Sequence, residues 1–574
     1  MSGQVQEPAA ATTAAVEAPP GAIISVFYKN GAVELAKKLA ACGLRVISSG
    51  GTAKVLRAES VPCVEVSAVT GFPEMLDGRV KTIHPVIAAG ILAMNKPDHL
   101  TQLAEHGIAR IKVVCVNLYP FAQTVAKGLS LAEVIEMIDI GGVLLLRAAA
   151  KNADQGVIVL CDPADYQRVM DAMDEHGEVP LELRQELAQK VFQTTAVYDA
   201  TIAAYLAKQY NIAGTDLILA LDRVFDLAYG PNPHQQPVSL FSTGGDYELA
   251  PSRFESVEGI KPSCNNLDDL HTLRETMTRL ASVFPAKLHS FALAAKHVNV
   301  CGAGIAKGKS NDAIAEAVKS MIEGDEVAIH GGVLLFNFHV TVEIADLLLH
   351  YHMANGQRRI LDAIFAPGAD DEAINMLSRK HGKCRVMLNP ALAGELPMDP
   401  TWPLVHVGGG DYTHYPPSQF VLSFDDPELQ IVGARRPEME DCLKVGWAIG
   451  SQAKSNTITI VRQRQTGDVA VYELEGNGCG RMDRVGAAEL AVRIYQRSED
   501  AKPEDQQVGL QNAAAYSDSF MPFSDAGKVL HKAGIEVMFA SSGSVNDRTV
   551  QEELTAAGMT LYLMPDKKCR GFRH

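Results

Sequence analysis

A lysine and a histidine stand side by side after a strongly apolar stretch, at Lys296 and His297. Histidine exchanges protons near neutral pH, so it often serves as a general acid or base. An adjacent ammonium group can bias the protonation of the imidazole and stabilise developing negative charge. An isolated histidine is more often structural, but this pair abuts a buried strand and precedes Cys301-Gly302-Ala303-Gly304. The pair therefore predicts a proton-transfer centre.

Two loops in the N-terminal part have the composition of an anion site. Ser48-Ser49-Gly50-Gly51-Thr52 joins a predicted strand to a predicted helix, where backbone N–H groups and hydroxyls can approach a phosphate. Residues 77–85 bring together Arg79, Lys81, Thr82 and an imidazole between a glycine and a proline. Taken singly, the first loop is also compatible with a plain turn and the second with a solvated charged loop.

Further polar residues follow predicted strands or turns. Asn117 to Phe121, which includes Tyr119, comes directly after a buried strand, where ligands of α/β proteins commonly bind. Asp139 and Lys151 add a carboxylate and a cation, although a capping aspartate and a surface lysine are the alternatives. The turn from Tyr229 to Gln235 is rigid and polar, and the amide of Asn456 precedes a strand and could orient a carboxamide.

Short apolar strands alternate with helical patterns, which predicts an α/β protein with a parallel sheet covered on both faces. We predict a disordered tail over residues 1–21, a first domain over 22–165 and a helical connector over 166–220. A second α/β region follows over 221–574, with a candidate division near 370–400, where proline and glycine cluster. Predicted strands include Arg45–Ser48, Ser290–Ala295 and Thr457–Val461.

Composition excludes several classes of protein. The 574 residues are 47% hydrophobic and carry a net charge of −16, which argues against a broad nucleic-acid surface. No apolar run reaches the length of a membrane span. The ten cysteines are dispersed without a C-x-x-C pair, which indicates reduced thiols, no zinc site and a cytoplasmic location.

In this order along the chain, the motifs resemble the family of bifunctional purine-biosynthesis enzymes that combine AICAR transformylase with IMP cyclohydrolase activity. The resemblance runs from about residue 22 to the C-terminus. The motifs that carry it are Ser49 to Thr52, Thr70 to Met75, Asp77 to Pro85, Asn117 to Phe121, Ile138 to Gly142, Arg147 to Asn152, Tyr229-Gly230, Asn232 to Gln235, Asn265 to Leu267, Lys296 to Val298, Ala366 to Gly368, Lys454 to Asn456, Ser517-Asp518, Pro522-Phe523 and Phe572-Arg573-His574.

The resemblance implies an N-terminal cyclohydrolase domain with a methylglyoxal-synthase-like fold. It implies a C-terminal transformylase whose two subdomains resemble cytidine deaminase without the zinc. The expected substrates are a small-molecule nucleotide and 10-formyltetrahydrofolate, which donates the formyl group. The family also implies a homodimer whose transformylase sites are shared between subunits, and it implies no metal, nucleic acid or membrane partner.

Roles carried over by matching positions fall into three groups. Catalytic roles fall on Lys296, His297 and Asn456 for formyl transfer, and on Lys81, Tyr119, Asp139 and Lys151 for ring closure. Substrate-binding roles fall on Lys29, Ser49, Gly50, Gly51, Thr52, Arg79, Thr82, Tyr229, His234, Asn266, Arg484 and Arg570. Roles in binding the formyl donor fall on His330, Gly331, Pro522 and Phe523.

The chain departs from the family pattern at contact positions. Phe27-Tyr28-Lys29-Asn30-Gly31 stands where Ser-Asp-Lys-Thr-Gly is usual, and Ala153 replaces a histidine. Ala228 replaces a phosphate-binding arginine, for which Arg481 or Arg570 could substitute. Residues 328–331 (Ala-Ile-His-Gly) stand where Ser-x-Phe-Gly lines the folate pocket, and residues 480–484 (Gly-Arg-Met-Asp-Arg) stand where Gly-Gln-x-Ser-Arg is usual.

Three functions remain open from the sequence. The first is formylation of AICAR and ring closure to IMP in late purine biosynthesis. The second is a retuned paralog that acts on a related carboxamide nucleotide, such as a pyrazole analogue, in specialised nucleoside biosynthesis. The third is a catalytically impaired nucleotide-binding protein.

Overall fold

The structure, a computed structural model, describes residues 18–212, 217–219, 221–258, 261–354, 356–378, 382–502, 504 and 507–571. Most of the predicted tail and the Phe572-Arg573-His574 motif lie outside these residues. The chain forms two compact units, Met1–Leu221 and Asp222–His574. Among the described helices, none combines the length and apolarity needed to cross a membrane.

The first unit is built on a sheet of five parallel strands in the order β3-β2-β1-β4-β5. Most positions of its central strands are buried and apolar, because helices cover both faces of a parallel sheet. The elements are β1 (Gly21–Val26), α1 (Ala32–Ala41), β2 (Arg45–Ser48), α2 (Gly50–Ala58), β3 (Val64–Glu65), α3 (Val66–Thr70), α4 (Pro85–Leu92), α5 (Pro97–Glu105), β4 (Ile111–Asn117), α6 (Phe121–Ala126), α7 (Leu131–Glu136), α8 (Gly141–Lys151), β5 (Ile158–Leu160), α9 (Tyr166–His176) and α10 (Leu181–Gln209).

The segment predicted as a connector is part of the first unit. Helix α10 is a single helix of 29 residues. Its Leu187 and Val191 join the same buried cluster as Ile23 and Val113 of the sheet. The compact unit therefore extends to Leu221 instead of ending near residue 165.

The second unit contains one mixed sheet of 12 strands. Two hairpins, β6–β7 and β14–β15, stand apart from it. The elements are β6 (Asp222–Asp226), β7 (Ser239–Ser242), β8 (Glu255–Glu258), α11 (Cys264–Val283), β9 (His289–Lys296), β10 (Asn299–Lys307), α12 (Asn311–Gly324), β11 (Val333–Phe336), α13 (Val342–His350), β12 (Ala363–Ala366), α14 (Asp371–Leu377), β13 (Arg385–Leu388), β14 (Leu404–Gly408), β15 (Asp411–His414), β16 (Gln430–Val432), α15 (Pro437–Gly450), β17 (Ile458–Thr466), β18 (Val469–Gly478), α16 (Arg484–Asp500), β19 (Ala513–Ser517), α17 (Asp525–Lys532), β20 (Val537–Ser542), α18 (Asp547–Ala556), β21 (Thr560–Pro565) and α19 (Asp566–Cys569).

This sheet consists of two copies of one topology. From β8 to β13, the chain forms a helix, an antiparallel hairpin and three further helix–strand steps, and β8 runs antiparallel to β13. The order from β16 to β21 is the same, with the same pairings. The copies join where β10 pairs antiparallel with β18. The predicted division near 370–400 overlaps α14 and β13 at the end of the first copy. Both copies belong to one sheet.

Candidate active sites

A cation sits over the start of a helix in the first unit. Helix α2 begins at Gly50, whose φ of +54° suits glycine, and an added Cβ there would lie 3.0 Å from the Nζ of Lys81. Ser49 occupies the N-cap position, makes no capping hydrogen bond with its side chain and is buried. Glu74 pairs with Lys81 at 3.0 Å between Oε2 and Nζ. Free N–H groups and an ammonium group together favour a phosphate or another anion.

The start of α8 brings three predicted residues together. A Cβ added at Gly141 would lie 2.8 Å from the hydroxyl oxygen of Thr82. The N–H of Gly142 donates to Asp139 at 2.7 Å. Burial raises the pKa of the Asp139 carboxyl, against hydrogen bonds from the amides of Gly142 and Tyr119. Burial and then the Asp139 charge raise the pKa of Tyr119. These residues, Thr82, Tyr119 and Asp139, form the Asp139 cluster, which can therefore hold and release protons.

The other charged residues predicted for the site in this unit are Lys29, Arg79 and Lys151. The Nζ of Lys29 is 3.2 Å from the hydroxyl of Thr52, and burial lowers the pKa of Lys29. Arg79 pairs with Glu136, with 3.1 Å between Nε and Oε1. Lys151 ends α8, so about 15 Å of helix separate it from the Asp139 end. Within one chain the structure does not bring Lys151 to that cluster.

The departures at Phe27 and Tyr28 place aromatic rings at the end of β1. The ring of Phe27 packs edge-on against those of Tyr28 and Tyr119, with centroids 5.1 and 5.6 Å apart. The side-chain oxygen of Asn117 accepts hydrogen bonds from the Phe27 and Tyr28 amides, at 2.5 and 2.9 Å. Three partly exposed rings thus border the Asp139 cluster.

In the second unit, Lys296 ends β9 and His297 begins the turn to β10. His297 and Val298 have φ of +55° and +66°. This region costs residues other than glycine about 1–2 kcal/mol each. The Nζ of Lys296 donates to the His330 carbonyl at 2.7 Å, and an added Cβ at Gly331 would lie 3.9 Å from Nζ. The backbone of residues 330–331 therefore helps to place the ammonium group.

A cavity of about 190 Å³ opens beside this turn. Lys296 and His297 form one part of its wall, and Val300, Leu474 and Ile494 supply apolar surface. Apolar walls with a few polar groups are typical of small-molecule sites. The pair therefore faces a space in which part of a substrate can be held away from water.

Asn456 is held by residues that follow β18. Its Nδ2 donates to the Arg481 carbonyl at 3.1 Å, and its Oδ1 accepts from Arg484 at 2.7 Å. Arg484 is held by the buried carboxylate of Asp518, with 2.5 Å between Nη1 and Oδ1. The Sγ of Cys479, two residues before Arg481, donates to the Asn299 side chain at 3.2 Å. The amide predicted to position a carboxamide is thus itself fixed.

The remaining predicted residues differ in burial and in the partners of their side chains. Asn266 is buried, accepts from Ser263 in a helix cap and donates to Asp362 at 2.7 Å. Arg570 pairs with Asp566 and lies over the ring of Phe520, 5.8 Å from its centroid. The other residues, all outside the core, are the half-buried Tyr229, the exposed His234, Pro522 and the exposed Phe523.

Within the described residues, none of the ten cysteines forms a disulfide bond. Over the described part of the chain, no three His, Cys, Asp or Glu side chains are grouped as a metal site would need.

Comparison with known protein families shows which family contains a chain with these side-chain clusters. Residues 31–144 match the MGS-like domain, and residues 149–494, more than half of the chain, match the AICARFT/IMPCHase bienzyme. The chain belongs to the AICARFT/IMPCHase bienzyme family. The family resemblance and the mixed α/β class with an MGS-like N-terminal sheet are therefore confirmed.

Relatives of the bienzyme family match nearly the whole chain. The bifunctional purine biosynthesis protein PurH of Anoxybacillus flavithermus is 36% identical over 548 residues, which are 94% of this chain and 97% of the relative. The PurH of Lactococcus lactis subsp. cremoris is 35% identical over 559 residues, 96% of this chain and 99% of the relative. A solved structure described as the crystal structure of ForH is 37% identical and covers 32% of this chain and 97% of its own, with a TM-score of 0.29.

Sequence reasoning missed partners that act through the backbone. Asp269, which accepts from the Val298 amide at 2.6 Å, lies two residues beyond the Asn265-Asn266-Leu267 motif. Nothing in its local sequence marks it as a partner of a turn 29 positions away. The ion pair between Glu74 and Lys81 was also not predicted, although both residues lie in motifs that carry the family resemblance.

Proposed function

We propose that the chain transfers a formyl group to the 5-amine of AICAR and then closes the ring to give IMP, as the last steps of purine biosynthesis. Membership of a bienzyme family over nearly the full length supports the pair of activities. The observation that carries the first reaction is the Lys296–His297 turn beside a cavity. The Asp139 cluster beside the cation over α2 carries the second.

Formyl transfer requires a base, because an aromatic amine is a weak nucleophile. His297 takes one proton from the amine as its nitrogen attacks the formyl carbon. Lys296 stabilises the oxyanion of the tetrahedral intermediate. The bond from this carbon to N10 of the donor then breaks, and N10 receives the proton from His297. Asn456 orients the carboxamide of the acceptor, exchanging a present hydrogen bond for one to substrate.

Ring closure joins the carboxamide nitrogen to the formyl carbon and releases water. Lys81 and the start of α2 hold the phosphate. Asp139, whose pKa is raised by burial, accepts a proton from the attacking carboxamide nitrogen, and Tyr119 or Thr82 donates one to the formyl oxygen, which becomes a hydroxyl group. This hydroxyl takes the proton back from Asp139 and leaves as water. The former 5-amine nitrogen then forms a double bond to the carbon and loses its own proton to the oxygen of Tyr119 or Thr82. Lys29 and Arg79 add positive charge at the margin. Lys151 would have to act on this site from its distant position on α8.

We infer 10-formyltetrahydrofolate as the formyl donor, because the cavity beside Lys296 has the apolar walls that a flat ring requires. His330, Gly331, Pro522 and Phe523 are the residues proposed to bind it. The chemistry assigned to the side chains needs no metal. A homodimer in the cytoplasm completes the proposal, in keeping with the bacterial relatives.

Purified protein with AICAR and 10-formyltetrahydrofolate should give IMP. His297→Ala should slow formyl transfer about 100- to 10,000-fold, the range that loss of a general base causes. The same variant should close the ring of supplied formyl-AICAR at the wild-type rate. Absence of IMP at high wild-type concentration, with formyl-AICAR also unconverted, would refute the proposal. No specific feature of the structure favours the analogue-using or binding-only alternatives.

A further inference from the structure

The turn at His297 and Val298, between β9 and β10, is held by a carboxylate that is not among the predicted site residues. Asp269 lies in the second turn of α11 and is 7% exposed. Its Oδ1 accepts the Val298 N–H at 2.6 Å, and the His297 N–H also donates to this carboxylate. Both residues of the turn that have positive φ are thus tied to one side chain.

This arrangement explains how an unfavourable backbone persists. A β-branched valine in the left-handed region is an outlier that survives only where its surroundings enforce it. The conformation directs Lys296 toward the His330 carbonyl and His297 toward the cavity wall. Helix α11 itself is anchored, since Ser263 and Asn266 form a capping box and Asn266 donates to Asp362.

We propose that Asp269 is a positioning residue for formyl transfer, which holds the His297–Val298 backbone so that the imidazole and the Lys296 ammonium group meet the reacting atoms. The proposal rests on the proposed formyl transfer. Asp269 touches no substrate and exchanges no proton; it acts through the two amides that it accepts.

Three substitutions of Asp269 separate positioning from charge. Asp269→Ala removes both acceptors and should lower kcat for formyl transfer about 100-fold, which a misplacement of about 1 Å can cause. KM for AICAR and for the donor should change less than about threefold. Asp269→Asn keeps an acceptor oxygen and should restore kcat to within about tenfold of wild type. Asp269→Glu keeps the charge but moves the carboxylate, so it should be more impaired than Asn.

Controls come from the same chain. Asp268→Ala removes the exposed neighbouring carboxylate and should keep kcat within about threefold. Ring closure on supplied formyl-AICAR should stay at the wild-type rate in every variant. If Asp269→Ala does not fold, Asp269→Ser provides the same comparison, because its short hydroxyl cannot reach both amides.

An unchanged kcat in Asp269→Ala or Asp269→Ser would overturn the proposal, as would an Asn variant as impaired as Ala. A fall in kcat shared with Asp268→Ala would overturn it too. Wild type without formyl transfer would overturn only the proposed function. In that case, crystal structures of wild type and Asp269→Ala test the role of Asp269. Residues 297–298 should leave the left-handed region only in the variant. An unchanged backbone at residues 297–298 in the variant would count against Asp269.

Discussion

At the residue scale, the Asp139 carboxyl shows how one group is tuned by opposing effects. Half-burial favours its neutral form, whereas the amides of Gly142 and Tyr119 favour the anion, and burial prevails. The neighbouring Tyr119 is shifted in the same sense by burial and by that charge. A carboxyl raised toward neutral pH is suited to accept and return a proton. The fold accepts this cost at a position that we propose to act in ring closure.

Asp139→Asn should therefore lower the rate of ring closure at least 100-fold and yet raise the unfolding temperature at pH 7. A carboxyl with a folded pKa above its unfolded value stabilises the fold fully below the unfolded pKa. That stability is lost as pH rises through the folded pKa. The gain in Tm should thus vanish near pH 3, and each kcal/mol is worth about 2–4 °C. Equal Tm values at pH 7, measured by calorimetry, would contradict the argument.

At the element scale, glycines allow the two copies in the second unit to bring helices against the central strands. A Cβ added at Gly304 of β10 would lie 2.0 Å from the Ala317 carbonyl oxygen of α12. One added at Gly478 of β18 would lie 2.0 Å from the Ala487 carbonyl oxygen of α16. The same contact recurs in both copies, so helix and hairpin are placed alike. In the first copy this packing fixes β10, the strand that follows the Lys296–His297 turn.

Gly304→Ala should destabilise the second unit by about 1–3 kcal/mol or more, because helix backbone must retreat from the added methyl group. Urea unfolding followed by tryptophan fluorescence measures this, since Trp402 and Trp447 both lie in that unit. Gly245→Ala is the matched control: its nearest contact would be 3.8 Å from the hydroxyl of Thr243. Equal midpoints for the two variants would show that the close approach carries no cost.

At the scale of the whole molecule, each compact unit holds its own cluster of chemically active side chains. Unit Met1–Leu221 contains the Asp139 cluster, and unit Asp222–His574 contains the Lys296–His297 turn. Each unit has its own buried core. We therefore assign the two reactions to the two compact units of one chain.

A mixture of two inactive variants should restore the whole conversion. His297→Ala lacks formyl transfer and Asp139→Asn lacks ring closure, so neither alone should form IMP from AICAR at more than about 1% of the wild-type rate. Together they should form it after a lag, because formyl-AICAR made by one is closed by the other. Chromatography of nucleotides over time gives both the lag and the yield. A mixture that accumulates formyl-AICAR without IMP would contradict the assignment.

Local sequence determined the features that depend on neighbours along the chain. The strand Arg45–Ser48 was predicted with its observed bounds, because a short apolar run between breakers has few other solutions. The position of Lys296 and His297 at a strand end follows from the same pattern. Ordered motifs determined the family, since many short matches in one order are rarely accidental. The parallel sheet of the first unit followed from the alternation of strands and helices.

Only the tertiary structure decided which distant groups meet. Asp269 reaches Val298 across 29 positions, and Arg484 reaches Asn456 across 28. Chain folding alone creates such contacts, so no local period announces them. The repeated topology of the second unit and the extension of the first unit to Leu221 depend likewise on long-range pairing and packing. The sequence alone identified Lys296 and His297 as candidate residues. Only the fold showed that the Asp269 carboxylate holds the turn that follows Lys296.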